Sequence, residues 1–372
     1  MMSTPNYKKA VKMREFIAAS FFILSFIGCG STQTIDNGKN VIFITLDGVR
    51  WQEVFHGSDP KLNGGATESV VFKKLFQRLS TSGLVMGDRD SGSEMTVSNP
   101  YNISLPAYYS MMTGATQSCD SNGCERTPTT TLQETILKEL NLQPIQVASI
   151  ASWAPIELAV QHEENKTFVN TGNYELNDGS NDAELSSINQ LQTADHPSGS
   201  SVRHDQYTFM QAMRYLKKNK PRFLYMSLND ADELAHAGDY PGYIKVLTQY
   251  DEWISEIFDA LADMSDYGQA TTVMITTDHG RGNGNKWTDH GTNVPESKYI
   301  WLYAGGSHFK RVATPNKNYN HNYIRPTIQA LLNMDPSKCE DCSGLIISEI
   351  SEAVDQTAPI SSPSASPHPS SR

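Results

Sequence analysis

Three short carboxylate–histidine clusters lie far apart in the chain: Asp232-Glu-Leu-Ala-His236, Asp278-His279-Gly280 and Asp289-His290-Gly291. A further carboxylate, Asp47, ends the apolar run Val41-Ile-Phe-Ile-Thr-Leu-Asp47-Gly48. Of the ten histidines, three fall between positions 236 and 290, each beside an Asp or one helical turn from it. Imidazole nitrogens mixed with carboxylate oxygens are the donor set of a two-metal hydrolytic site. Asp232 and His236 are four apart, so a helix there presents both on one face. Taken singly, such a pair is more often two surface neighbours, and a lone histidine an ordinary polar residue. The argument for a site is the ordered set Asp47, Asp232/His236, Asp278/His279 and His290, with apolar strands feeding most of its members.

Such a site also needs a nucleophile, and the segment Asn-Pro-Tyr-Asn-Ile-Ser104-Leu-Pro106 offers Ser104. Proline is well placed in the first turn of a helix. The Ser104 hydroxyl then sits at a helix N-terminus, where free amides and the dipole favour negative charge and phosphoryl oxygens. The plainer alternative is a serine that only caps the helix.

The elements that must position these residues follow from the apolar pattern. Val41–Leu46 reads as a buried strand, joined by 145–150, 223–228, 271–276 and 299–303. Helix-period stretches lie near 69–81, 106–113, 131–140, 207–218, 240–263 and 324–332. The alternation predicts an α/β fold, a three-layer α/β/α sandwich around a mostly parallel sheet. Ligands collect at the carboxyl ends of strands in such sheets. Asp47, Asp232 and Asp278 each stand at or just beyond one. Residues 173–204, polar and rich in Asn, Asp and Ser, read as a long surface excursion.

Lys8, Lys9, Lys12 and Arg14 precede an apolar stretch too short to span a bilayer, which reads as a secretory signal. Its end, Ser25-Phe-Ile-Gly28-Cys29, resembles a bacterial lipoprotein signal with Cys29 as the acylated residue, although Phe26 stands where that pattern usually has Leu. An ordinary cleaved signal peptide is the alternative. The expected organisation is a lipoprotein-type signal over 1–29, a polar tether over 30–39, a metallohydrolase domain over 40–350 and a disordered low-complexity tail over 351–372. The location implied is the periplasm or cell envelope, with a lipid on Cys29 anchoring the chain to a bacterial membrane. Taking away residues 1–28, with four Lys/Arg and one Glu, moves the net charge from −11 to −14. An acidic chain has no nucleic-acid-binding signature, and a phosphate must be drawn in by local cations. The remaining cysteines pair by proximity, Cys119 with Cys124 and Cys339 with Cys342; a zinc site using Cys339 and Cys342 is the rival.

These motifs resemble the alkaline phosphatase superfamily, in its nucleotide pyrophosphatase/phosphodiesterase-like branch, from about Asn40 to Gly306. The carrying elements are Leu46-Asp47-Gly48, Ser104 followed by Thr113-Gly114, Asp232-x-x-x-His236, Asp278-His279-Gly280 and His290-Gly291. The resemblance implies that Asp232, His236 and His290 hold one divalent ion. Asp47, Asp278, His279 and the Ser104 oxygen hold the other. Zinc is the expected metal, with manganese or iron as alternatives. His290 follows His279 closely, where some branches have a far longer interval, so His308 and His321 compete for its place. The implied reaction is in-line attack by Ser104 on a small-molecule phosphate ester, then hydrolysis of the phosphoserine, with Asn122 a candidate donor to the phosphoryl group. A Cys119–Cys124 disulfide would stiffen the loop carrying Asn122.

Departures from the family pattern bear on the substrate. Tyr108 occupies the place where sulfatases carry Arg, and Ser227 stands where a third-metal carboxylate is expected. The segment 149–156 has no basic residue. These favour phosphodiesters or pyrophosphates unless Arg50, Arg126 or Arg203 enters the cleft. A phosphomonoesterase or phosphoryl-group mutase of the same fold is the alternative, and a non-catalytic metal-binding surface lipoprotein is the reading outside the enzymes. The aromatics Trp51, Tyr101, Tyr108, Trp153, Tyr240 and Trp287 are candidates for stacking on a base or sugar.

Overall fold

The computed structural model describes residues 39–65, 70–195, 201–314 and 316–354. The signal, Cys29, nearly all of the tether and the low-complexity tail beyond 354 lie outside the described residues. The run Asn40–Leu46 has no solvent-facing position, and it forms β1, buried at every residue. Parallel strands covered on both faces carry such unbroken apolar runs. The other strands are β2 (Leu84–Met86), β3 (Glu94–Thr96), β4 (Val147–Ala151), β5 (Phe168–Thr171), β6 (Phe223–Leu228), β7 (Thr271–Thr276), β8 (Tyr299–Ile300), β9 (Leu302–Gly305) and β10 (Asn318–Asn320).

β1 is central in a seven-stranded sheet of order β2-β9-β7-β1-β6-β4-β5. It pairs in parallel with β6 and β7, β4 pairs in parallel with β6 and β5, and β9 is antiparallel to both β7 and β2. Val41 and Phe43 face a core built with the helices Ser104–Thr113, Leu132–Glu139 and Ile324–Leu331. Ile42, Ile44 and Leu46 face the opposite core, with the helices Asp205–Asn219, Asp230–His236 and Tyr240–Ala262. The alternation of side chains along one strand thus feeds two helical layers. This is the expected α/β/α sandwich around a mostly parallel sheet. Among the described residues, no helix is long and apolar enough to cross a membrane.

Several elements differ from the sequence reading. Among them are the short strands β2, β3, β5 and β10, which it does not include, and residues 351–353, expected in the tail but ending the helix Ser348–Ala353 with Ala353 buried. The segment 299–303 is not one strand: it breaks at the fully buried Trp301. β8 pairs with β3 in a three-stranded sheet with β10, while β9 joins the main sheet. The Trp301 indole N–H donates to Val49 O at 3.1 Å, which holds the chain at the crossing between the two sheets. The supposed surface excursion also contains a regular helix, Ala183–Ala194, capped by Asp182 through the Leu185 amide. Its polar composition hides Leu185 and Ile188, which helical spacing places on one buried face, Leu185 in the second core.

Candidate functional site

The carboxyl edge of the sheet gathers the acidic residues. Asp47 directly follows β1, Asp278 stands just beyond β7, and Asp232 lies in the first turn of the helix after β6. The Gly48 amide donates to Asp278 Oδ1 at 3.0 Å. Gly48 has φ +66°, and a Cβ there would come 2.6 Å from Asp232 Oδ1 and 2.9 Å from Arg281 Nε. Only glycine lets the chain pass this close to the cluster. Gly280 acts by proximity as well, since a Cβ on it would meet Tyr299 O at 2.3 Å.

The histidines are aimed by their other nitrogen. His279 Nδ1 lies 2.9 Å from Gly280 O and His290 Nδ1 lies 3.0 Å from Asn102 O. A carbonyl only accepts, so each Nδ1 carries the proton and each Nε2 keeps a lone pair. Burial pushes His279 down to about 4, and burial together with His279 pushes His290 down to about 3, so both are neutral near pH 7. His279 Nε2 stands 3.6 Å from Asp47 Oδ1, 3.4 Å from Asp278 Oδ2 and 4.0 Å from Asp232 Oδ1. The rings of His279 and His290 stack at 3.8 Å. The ligand atoms form two groups that share His279, namely Asp232, His279 and His290, and Asp47, Asp278 and His279, each within 4.8 Å. His236 stands at the exposed rim, its Nε2 3.2 Å from His290 Nε2 and 3.3 Å from Asp232 Oδ2.

The buried oxygens Asp47 Oδ1 and Asp278 Oδ2 have no hydrogen-bond partner. Burial, then the charges of Asp278 and Asp232, pushes Asp47 well above the usual carboxylate range; burial, then Asp232, also raises Asp278. Burial also acts to raise Asp232, but the Arg281 guanidinium, with His236 and His279, outweighs it and holds this carboxyl well below that range. Buried carboxylate oxygens without a donor, facing neutral imidazole lone pairs, are costly alone and fit divalent cations.

Ser104 opens the Ser104–Thr113 helix, and the cap position belongs to Ile103. Its hydroxyl bonds no helix amide; it lies 3.2 Å from His279 Nε2. One turn later on the same face, the Tyr108 hydroxyl donates to Asp47 Oδ2 at 2.9 Å. Asn122 Oδ1 accepts from the Leu105 amide at 2.9 Å, which places its amide group at the same helix start. The Cys119–Cys124 disulfide brackets it, and Cys339 pairs with Cys342 rather than forming a zinc site. Thr113-Gly114 terminates this helix, with Gly114 left-handed at φ +75°.

Several candidates are placed elsewhere. His308 bonds Thr272 and Gln269 O at the opposite end of β7, and His321 donates to Thr277 O, so neither enters the ligand groups. Arg50 is paired with Glu53, Arg126 with Glu164 and nearby carbonyls, and Arg203 with Asn170 and Thr208. Trp287 packs on Tyr240 and Tyr243 in the core, while Trp153 is half-buried near Tyr108. The sequence reading missed Arg281, which is buried and binds both the carboxylate and the carbonyl of Asp232 as well as Thr288 O. Its position directly after Asp278-His279-Gly280 was the signal. Asn102 was missed too: it is left-handed at φ +53°, held by Asn99, and its carbonyl orients His290.

Burial pushes His321 down to about 4. A histidine whose folded pKa is depressed contributes stability that is present above its unfolded value near 6.5 and lost as pH falls toward 4. In chelator, the urea midpoint should fall over that window, and less steeply for His321→Gln. An equally steep fall removes His321 from this account.

The chain matches the Metalloenzyme superfamily over residues 178–336. It is 30% identical over 125 residues to a phosphopentomutase of Clostridium kluyveri, a match covering 33% of this chain and 29% of that protein. The match thus spans less than a third of that relative's length. Among solved structures, wild-type alkaline phosphatase PafA superposes with a TM-score of 0.58 at 11% identity, over 84% of this chain and 98% of that one. A protein described as belonging to the alkaline phosphatase superfamily, from Vibrio parahaemolyticus, gives 0.50 at 15% identity over 80% and 67%. Over residues 178–336 the sequence is thus similar to the Metalloenzyme superfamily, and the fold is that of solved alkaline phosphatase-superfamily structures.

Proposed function

We propose that the protein is a metal-dependent hydrolase of phosphoric esters acting through Ser104, with phosphodiesters or pyrophosphates as its preferred substrates. The observation that carries this reading is the convergence of three carboxylates and two neutral imidazole nitrogens beside the Ser104 hydroxyl. Asp232, His236 and His290 would hold one divalent ion; Asp47, Asp278 and Ser104 would hold another, with His279 common to both groups in geometry. The donor set suits zinc. Bound there, the ions supply Lewis-acid polarisation and neutralise developing charge. Ser104 Oγ forms the bond to phosphorus as the ester oxygen leaves, and water then cleaves the phosphoserine. Asn122 Oδ1 is held by the Leu105 amide, which turns its Nδ2 to serve as a donor to a phosphoryl oxygen.

Tyr108 and the engagement of Arg50, Arg126 and Arg203 support diesters. A monoester dianion asks for a basic group near the nucleophile, and these cations are bound elsewhere. The similarity to a phosphopentomutase favours a second reading, a phosphoryl-group mutase. The sequence of residues 1–29 supports export and a lipid anchor on Cys29. The purified protein, with zinc and after EDTA, is expected to hydrolyse bis-p-nitrophenyl phosphate faster than p-nitrophenyl phosphate or p-nitrophenyl sulfate, and only with metal. A preference for the monoester makes it a phosphomonoesterase instead. Metal binding without turnover of any ester, including sugar phosphates tested for isomerisation, returns it to a non-catalytic binder.

A further inference from the structure

Asp205 is wholly buried, and nothing in the proposed chemistry uses it. It stands at the start of the Asp205–Asn219 helix, yet its carboxylate caps a different one. Its Oδ1 accepts from the Asn229 amide at 2.8 Å and from the Ser152 hydroxyl. Its Oδ2 accepts from the Asp230 amide at 2.8 Å and from the Tyr250 hydroxyl. The exchange is reciprocal, since the Asp205 amide donates to Asp230 Oδ2 at 3.1 Å. Two helix N-termini therefore meet head to head, each supplying a carboxylate to the first amides of the other. Their dipoles repel in that arrangement, and negative charge between them offsets the repulsion.

The second of these helices is Asp230–His236, which carries Asp232 and His236. With 7 residues, it is too short to set its own direction. Its direction comes from the turn after β6, where the Asp205 carboxylate holds Asn229 and Asp230. Asp205 ties that turn to the end of β4 through Ser152 and to the Tyr240–Ala262 helix through Tyr250, whose hydroxyl also accepts from the Ala231 amide at 3.2 Å.

We propose that Asp205 is a positioning residue for the metal centre, fixing the β6-to-helix turn so that Asp232 and His236 reach their ion together. This rests on the metal-dependent reading above. Among the groups that face Asp205, Asp230 and Tyr250 are titratable, with His204 beside Asp230 and Arg203 nearby. Burial, followed by the Asp230 charge, pushes Asp205 up to about 7. The test is therefore run at pH 8.5, with the carboxylate ionised.

The full chain and its Asp205→Asn variant are stripped of metal and titrated with cobalt(II), followed by visible absorption, and zinc content is measured by equilibrium dialysis. An asparagine cannot accept on both sides of its side-chain group. The wild type is expected to take two ions. The variant is expected to keep one at wild-type affinity and to bind the other about 10–100-fold more weakly, with turnover restored by excess zinc. If Asp205→Asn does not fold, Tyr250→Phe removes one donor to the same carboxylate and should weaken the same single ion. Both ions bound at unchanged affinity, or both weakened equally, overturns the positioning role. A wild type that binds no ion overturns the metal-dependent reading and this role with it.

Discussion

Replacing Ser104 by alanine is expected to lower kcat by on the order of 10⁴-fold or more while leaving the fold intact. Loss of turnover follows because the Ser104 hydroxyl stands both at the helix start and 3.2 Å from His279 Nε2. Retention of the fold follows from geometry. Ile103 is the cap residue, and the Ser104 hydroxyl makes no capping bond, so an alanine in the first turn sacrifices no amide partner. Ser104 is 4% exposed, and removing one oxygen leaves a void too small to cost more than about 1 kcal/mol. Measured kcat, circular dichroism and a thermal melt check the two halves separately. Wild-type turnover by Ser104→Ala means the nucleophile lies elsewhere. A trapped phosphoryl adduct on the wild-type protein, absent from the variant, is the positive counterpart.

Asp278→Ala is expected to remove about one ion per chain and about 10²-fold or more of the activity. Asp278 holds the Gly48 amide with one oxygen and turns the other, unpartnered, toward His279 Nε2. The loss therefore reaches both the ligand set and the turn that presents Asp47. Stability should respond to metal in a diagnostic way. Asp47 and Asp278 have folded pKa values raised above their unfolded ones. Such groups contribute stability that is present below the unfolded pKa and lost as pH rises through the folded pKa. As the pH rises and they ionise, the two carboxylates thus increasingly oppose each other until cations join them. Chelation should lower the melting temperature of the wild type by more than that of Asp278→Ala. An unchanged metal-to-protein ratio in the variant sinks its role as a ligand.

The strands that present the site are legible because a parallel strand covered on both faces must be apolar along its length. Asn40–Leu46, Phe223–Leu228 and Thr271–Thr276 each end in a polar turn that carries an acidic residue. Elements stabilised by a few specific contacts are less visible. The Ala183–Ala194 helix hides in polar composition, and the break at Trp301 depends on two sheets competing for one segment. Similarly, sequence spacing left His290, His308 and His321 in competition. Folding separates them, because His308 lies at the far end of β7 and His321 beneath Thr277.

By itself, then, the sequence determined the residue types, their order and the strand ends on which they fall, since burial periodicity and turn chemistry are local. Only the tertiary structure decided which nitrogen of each histidine faces the cluster, that Arg281 grips Asp232, and that Tyr108 reaches Asp47. The same is true of Asp205, which joins two helix starts through amides that belong to distant segments. Those choices depend on hydrogen bonds across long sequence separations, and such partners exist only once the sheet has brought the strand ends together.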